Sequence, residues 1–312
     1  MFLLGAGASV DAGLEQSAGM TEAIAGQLGR GFYPSPVGQL LHAVVGAMIQ
    51  QDASTGGDAF AVPDVERVFS AVSDLKRRDD LDITAFVERW NGSLDAATGP
   101  SGLPESWARQ FRDALLGEHA GDFEVQAQFE RGVFALTEPR SSTLLEELER
   151  RMLQTLIRLL QVDESRLHYL YPMLRSNDLA GIATLNYDLA VERAGGQLGV
   201  SLATGLDDWR GGYSWAWPPE ADIRLLKLHG SLDFALHHAR PVGGRMQTEH
   251  LVRTNGEIAA KPALVFGLNS KLRSDGPFLA MLVEFDRLLA ESEWLTVVGY
   301  SFRDTHINAA IT

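Results

Sequence analysis

Apolar residues fall along this chain in two textures. In the middle they recur every three or four positions. Val65, Val68, Phe69, Val72 and Leu75 form one face, and Trp107, Phe111, Leu115 and Leu116 a second. Leu144, Leu145, Leu148, Met152, Leu156, Ile157 and Leu160 form the longest. That period predicts helices over about 62–75 and 142–162, with another over 21–31. Thr143 and Glu146 supply a capping-box pattern for the longest of them. Such stripes are core or partner surface. Elsewhere the apolar residues come in short blocks bounded by glycine or polar residues: 2–4, 181–185, 223–228, 263–266 and 294–298. These have the length of buried strands, and a helical pattern over 278–290 lies among them. Strands alternating with helices predict an α/β fold with a mostly parallel sheet flanked by helices. The expected organisation is one α/β core over 1–30 and 166–312, with a largely helical insertion, a cap subdomain, over 31–165.

Composition narrows the function classes. The 312 residues suffice for a large core. Net charge is −14, from 41 acidic and 27 basic residues, which disfavours a nucleic-acid partner. The best basic cluster, Lys76-Arg77-Arg78, is followed at once by Asp79, Asp80 and Asp82 and reads as a solvated helix end. There is no cysteine, so disulfides, thiol catalysis and Cys-held zinc are excluded. The histidines show no metal-ligand spacing; His237-His238 reads as surface, and no metal is expected. No apolar run approaches the roughly 20 residues of a membrane span, and the start lacks a basic leader segment. The expected compartment is the cytoplasm, with no membrane contact. The last helix, from about Asp304, carries Phe302, Ile307, Ala310 and Ile311 on an apolar face and stops at Thr312. Further chain, or a partner, is expected to cover it.

Candidate chemistry gathers where the predicted strands end. The first runs into Gly5-Ala6-Gly7-Ala8-Ser9, a turn in which missing Cβ atoms let backbone approach a bound group and helical amides attract phosphate. The next ends in Asn186-Tyr187-Asp188, another in His229-Gly230-Ser231, and the last in Gly299-Tyr300-Ser301, with Asp304 and Asn308 close behind. Ligands of parallel sheets bind at these carboxyl ends, so the four together predict one shared polar pocket.

Four segments carry a resemblance that covers the chain from end to end, in order: 5–9, Thr184-Leu185-Asn186-Tyr187-Asp188, Lys227-Leu228-His229-Gly230-Ser231, and 298–308. Together they resemble the SIR2-like (sirtuin-like) domains of bacterial anti-phage defence proteins. The resemblance implies a Rossmann-like core that binds NAD+ as its substrate and cleaves it to nicotinamide and ADP-ribose. Depletion of NAD+ then arrests the infected cell, and a homo-oligomer or a partner defence protein that senses infection releases the activity. By the same resemblance, Gly5, Ala6, Gly7, Ala8 and Ser9 hold the pyrophosphate. Asn186 binds the ribose or places the attacking water, Asp188 meets the nicotinamide carboxamide, and His229 is the catalytic histidine. Gly230 and Ser231 beside it also belong to the nucleotide site, and Gly299, Ser301 and Asn308 line its adenosine side.

The residue types suit that chemistry. Nicotinamide leaves readily from the ribose through an oxocarbenium-like state, so a sheltered polar pocket and a mild base suffice. Histidine titrates near neutrality and general-base catalysis is worth roughly 10²–10⁴-fold. Taken singly, His229 reads as a hydrogen-bonded strand-end residue and Asn186 and Asp188 as an Asx turn; the Leu-His-Gly-Ser setting tips His229 toward catalysis. Tyr187 reads as packing and His306 as a surface or capping residue. Deacylating sirtuins carry a four-cysteine zinc module, which is absent here. Gly13-Leu14-Glu15-Gln16-Ser17-Ala18 replaces their Gly-Ile-Pro-Asp-Phe-Arg segment, and Leu185 stands where they have glutamine. A zinc-free deacylase or ADP-ribosyltransferase, and a non-catalytic NAD or ADP-ribose sensor, are the alternatives.

Overall fold

Three-residue apolar segments between glycines and polar turns form the centre of the molecule. The computed structural model describes residues 1–30, 35–78, 141–176, 179–209, 212–238, 249–254, 256–266 and 277–312. Strands β1 (Phe2–Leu4), β2 (Ile182–Thr184), β3 (Leu202–Ala203), β4 (Ile223–Lys227) and β8 (Thr296–Val298) make a five-stranded sheet in the order β3-β4-β2-β1-β8. Every pair in it is parallel, as the alternation of strands and helices predicts. A second sheet, antiparallel, takes β5 (Gly230–His238) at its centre between β6 (Glu249–Arg253) and β7 (Pro262–Leu264).

Register explains the layers. Leu3 pairs with Ala183, and Ala183 with Leu226; this row packs with Met281, Phe285 and Leu288 of a helix spanning Pro277–Glu291. On the opposite face Leu4, Ile182 and Leu225 pack with Ala190, Val191 and Ala194, which lie on a helix spanning Ala190–Leu198. Leu167 and Leu170, from a 3₁₀ segment at Glu164–Leu170, close the same layer. Full burial of each such side chain contributes about 1.5–3 kcal/mol, so the sheet is held from both faces.

Among the described residues the helices are, in chain order, α1 (Ser17–Leu28), α2 (Pro36–Ser54), α3 (Val65–Lys76), α4 (Ser141–Leu159), α5 (Tyr171–Leu174), α6 (Ala190–Leu198), α7 (Pro277–Glu291) and α8 (Thr305–Ile311). The chain divides into two compact units. Residues 1–20, 64–67 and 156–312 form one, which holds both sheets; residues 21–63 and 68–155 form the other. Within the second unit the predicted stripes are buried: Val68, Phe69 and Val72 from α3, and Leu145, Leu148 and Met152 from α4, are at most 3% exposed. Lys76 pairs with Glu149 at 2.6 Å and Arg77 with Asp74 at 3.6 Å, so two charges of the basic cluster answer carboxylates.

Several expectations change. The segment 263–266 is no member of the parallel sheet: β7 pairs antiparallel with β5. The stretch after His229 is not a loop but the start of β5, whose residues 231–234 are all buried and so show no alternation. Helix α1 begins four residues before the predicted start, and Thr143 and Glu146 lie inside α4 rather than at its first residue. The helix predicted around Trp107 to Leu116, residues Asp79, Asp80 and Asp82, and the side chains of Thr143, His237 and His238 lie outside the described residues. Among the described residues no helix is long and apolar enough to cross a membrane.

Candidate functional site

The chain turns back on itself at β1. From β1 it reaches β2 on one side of the sheet, and it returns through β8 on the other, which is the arrangement that opens a crevice at strand carboxyl ends. The loop after β1 is a short 3₁₀ turn, Ala6–Ser9. It interlocks with the loop after β8: Gly5 N donates to Val298 O and Gly7 N to Gly299 O, each at 2.9 Å. Gly299 sits at φ +65°, and a Cβ there would lie 2.1 Å from Ala8 N; only glycine fits. The glycines are thus explained by loop packing. The amides of Gly5, Gly7 and Ala8 all donate to the protein's own carbonyls, while Ala6 and Gly7 form the exposed part of the turn.

Ser9 joins this loop to the end of β2. Its hydroxyl donates to Asp188 Oδ2 at 2.8 Å and accepts from Asn186 Nδ2 at 2.9 Å. The same Nδ2 donates to Gly5 O at 2.9 Å. Both amide hydrogens of Asn186 are therefore engaged, and its Oδ1 remains as the acceptor on this half-buried side chain. Asp188 is 4% exposed; its other oxygen accepts from Ala190 N at 2.9 Å, at the start of α6. Each of its oxygens thus takes one donor from the protein, and the carboxylate braces the turn. Tyr169 donates to Ala8 O at 2.7 Å, and burial, with the charges of Asp188 and Asp11 nearby, pushes its phenol up to about 12. Beneath the turn, Lys227 at the end of β4 is 1% exposed. It donates to the Asp188 carbonyl and lies 3.0 Å from Glu192. Burial raises the Glu192 carboxyl above its ordinary value, against the pull of Lys227.

His229 occupies a two-residue turn between β4 and β5. The turn is tight because Gly230, at φ +90°, passes β7 so closely that a Cβ would lie 2.1 Å from Ala263 O. Gly230 and Ser231 are therefore sheet residues, paired with Leu264 and Ala263, and Ser231 is fully buried. The imidazole is bracketed: Nε2 lies 3.1 Å from Asp304 Oδ2, and Nδ1 lies 3.7 Å from Glu66 Oε1. Asp304 also caps α8, its Oδ1 accepting from His306 N and Ile307 N. Glu66 stands in the first turn of α3, whose start is fixed where Val65 N donates to Ser17 Oγ and Arg67 N to Asp64 Oδ1. The Tyr187 hydroxyl lies 2.9 Å from Glu66 Oε1 and 3.0 Å from Val265 O, two acceptors for its one hydrogen; burial, then the Glu66 charge, raises its phenol far above the usual range. A cavity of about 20 Å³ opens beside the imidazole, lined by His229, Asp304 and His306 with Leu228, Phe278 and Leu282. It has room for a water molecule.

Two clusters thus form. Ser9, Asn186 and Asp188 meet Gly5 at the β1–β2 corner; His229 meets Glu66, Tyr187 and Asp304 beyond it. Tyr187 links them, since it touches Glu66 and lies between Asn186 and Asp188 in sequence, and Lys227, which touches Asp188, stands two residues before His229. The cavity is lined from the histidine side, without Asn186. Of the remaining candidates, Ser301 is exposed. Asn308 braces its own loop, accepting from Tyr300 and donating to Phe302 O. His306, expected as a surface or capping residue, gives its amide to the Asp304 cap and is half-buried beside the cavity. Tyr187 packs, as expected, against Phe266, and it also orients Glu66. The sequence reading missed Glu66, whose signal, an acidic residue in the first turn of a capped helix, is shared by ordinary helices. Among the described residues no group of three or more His, Asp or Glu side chains is arranged to hold a metal ion. No protein-family model matches the chain, and no curated protein matches its sequence.

Proposed function

We propose that the protein is an NAD+ glycohydrolase, cleaving NAD+ to nicotinamide and ADP-ribose as an effector of bacterial anti-phage defence. The observation that carries this reading is that the carboxyl ends of adjacent parallel strands bear an amide with an open acceptor at one corner and a carboxylate-bracketed imidazole at another. The SIR2-like motifs stand at those same four ends. In the reaction the bond between the ribose C1′ and nicotinamide breaks with its electron pair on the pyridine nitrogen, and a water oxygen bonds to C1′. Asn186, fixed through its Nδ2 by Gly5 and Ser9, offers Oδ1 to a ribose hydroxyl or to that water. His229 and its carboxylate neighbours form the proton-accepting side.

The fit is uneven around the site. At the glycine turn the dinucleotide would meet the exposed Ala6 and Gly7, because the amides of Gly7 and Ala8 already serve the protein's own carbonyls. Asp188, Gly230 and Asn308 act in this reading as framework, holding the groups that face the substrate. Self-assembly or a partner that senses infection is proposed to release the activity. The test is nicotinamide release from NAD+ by the intact chain, alone and in its natural assembly. Release that is lost in His229→Ala and in Asn186→Ala supports the reading; undiminished release in His229→Ala overturns the catalytic assignment.

A further inference from the structure

We propose that Lys227 is a positioning residue of this site, its buried ammonium holding the Asn186 turn in place against the strand that leads into His229. The inference rests on the NAD+-cleaving reading. Lys227 closes β4 and is the register partner of Thr184, the last residue of β2. Beyond that rung the two segments leave the sheet, one into Asn186 and the other into His229. Leu228 N donates to Thr184 O at 3.0 Å and Leu232 N to Tyr187 O at 2.9 Å, which ties the first part of the turn. The Lys227 ammonium reaches one residue further and donates to the Asp188 carbonyl. Its backbone thus stands two residues before the imidazole, while its side chain fixes the far end of the turn that carries Asn186.

Stability does not account for a lysine at this position. Its side chain is 1% exposed and that of Glu192, 3.0 Å away, is 7% exposed. Burial raises the Glu192 carboxyl above its ordinary value although Lys227 pulls it down, and the charge of Asp233, itself paired with Arg253 at 2.8 Å, raises it further. Desolvation thus outweighs attraction, and an apolar pair of similar volume is often as stable as a buried ion pair or more so. What an apolar pair cannot supply is a donor directed at a carbonyl of the turn. Asn186 is already fixed through its Nδ2, which donates to Gly5 O and Ser9 Oγ; Lys227 fixes the same turn at Asp188. A displacement of about 1 Å at a reacting group can cost roughly 10²-fold in rate, so this tie bears on turnover more than on folding.

The experiment measures steady-state nicotinamide release from NAD+, with thermal melting, by the full chain in its natural assembly. It compares the wild type with Glu192→Gln and with the double variant Lys227→Met/Glu192→Met, which removes the donor without stranding a buried charge. The double variant should melt close to the wild type, and its kcat should fall roughly 10–10²-fold with KM for NAD+ little changed. Glu192→Gln, which keeps the ammonium and its bond to Asp188, should melt lower yet keep most of the wild-type kcat. A merely structural role would make kcat follow the melting temperature across the three proteins. Wild-type kcat in the double variant overturns the proposal, as does a collapsed melting transition there or an equal loss of kcat in Glu192→Gln. These outcomes leave the NAD+-cleaving reading standing; absence of release from the wild type overturns that reading, and this inference with it.

Discussion

The two corners of the site are built on different principles. Around Ser9, Asn186 and Asp188 nearly every polar atom has a short partner, at 2.8–2.9 Å, and the groups are neutral apart from one carboxylate. Around His229 the groups are ionisable, the separations run to 3.1 and 3.7 Å, and a cavity the size of a water adjoins them. A saturated network is rigid and costly to disturb, because each lost partner leaves a buried polar atom unmatched. A charged cluster beside a cavity leaves room there for a water. The comparison assigns framework to the first corner, with Asn186 Oδ1 as its group left for substrate, and proton transfer to the second.

Substitutions can break that division. The largest effect is expected for Gly299→Val, which puts a branched side chain at φ +65° against Ala8 N. More than about 4 kcal/mol should be lost, read as a collapse of the urea midpoint. Lys227→Met comes next. It leaves Glu192 buried without its cation, at about 3–5 kcal/mol, measured by the same unfolding curves. Ser9→Ala removes the hydroxyl shared by Asp188 and Asn186 and should cost about 1–3 kcal/mol. If Ser9→Ala leaves the urea midpoint unchanged, the hydroxyl is no framework group and the division fails. The smallest effect concerns Tyr169. Its folded value near 12 exceeds its ordinary value of 10, so the neutral phenol contributes stability that is full below pH 10 and is lost as pH rises through 12. Tyr169→Phe should flatten this alkaline loss, as followed by melting temperature between pH 9 and 12.

The same contrast governs what the sequence made legible. Strands β1, β2, β4 and β8 are short apolar blocks ended by glycine or polar residues, so their positions and the parallel sheet could be read directly. Strand β3 is two residues long and carries no periodic signal. Strand β5 hides its period because Ser231, Leu232, Asp233 and Phe234 are buried in succession, Asp233 paired with Arg253 at 2.8 Å. The β1–β2 corner was legible because its members lie within motifs at strand ends. The histidine corner was half legible: His229 follows β4 and Asp304 caps α8 in the loop after β8, but Glu66 arrives from a helix more than a hundred residues away in sequence from either. Burial of its neighbours, and not spacing along the chain, is what marks it.

The most direct test of the account is nicotinamide release from NAD+ by the natural assembly, compared between wild type and His229→Ala at equal folded concentration. The account predicts turnover in the wild type and a loss of roughly 10²–10⁴-fold in the variant, with the fold retained. Equal turnover in the two, or none in the wild type, would contradict it.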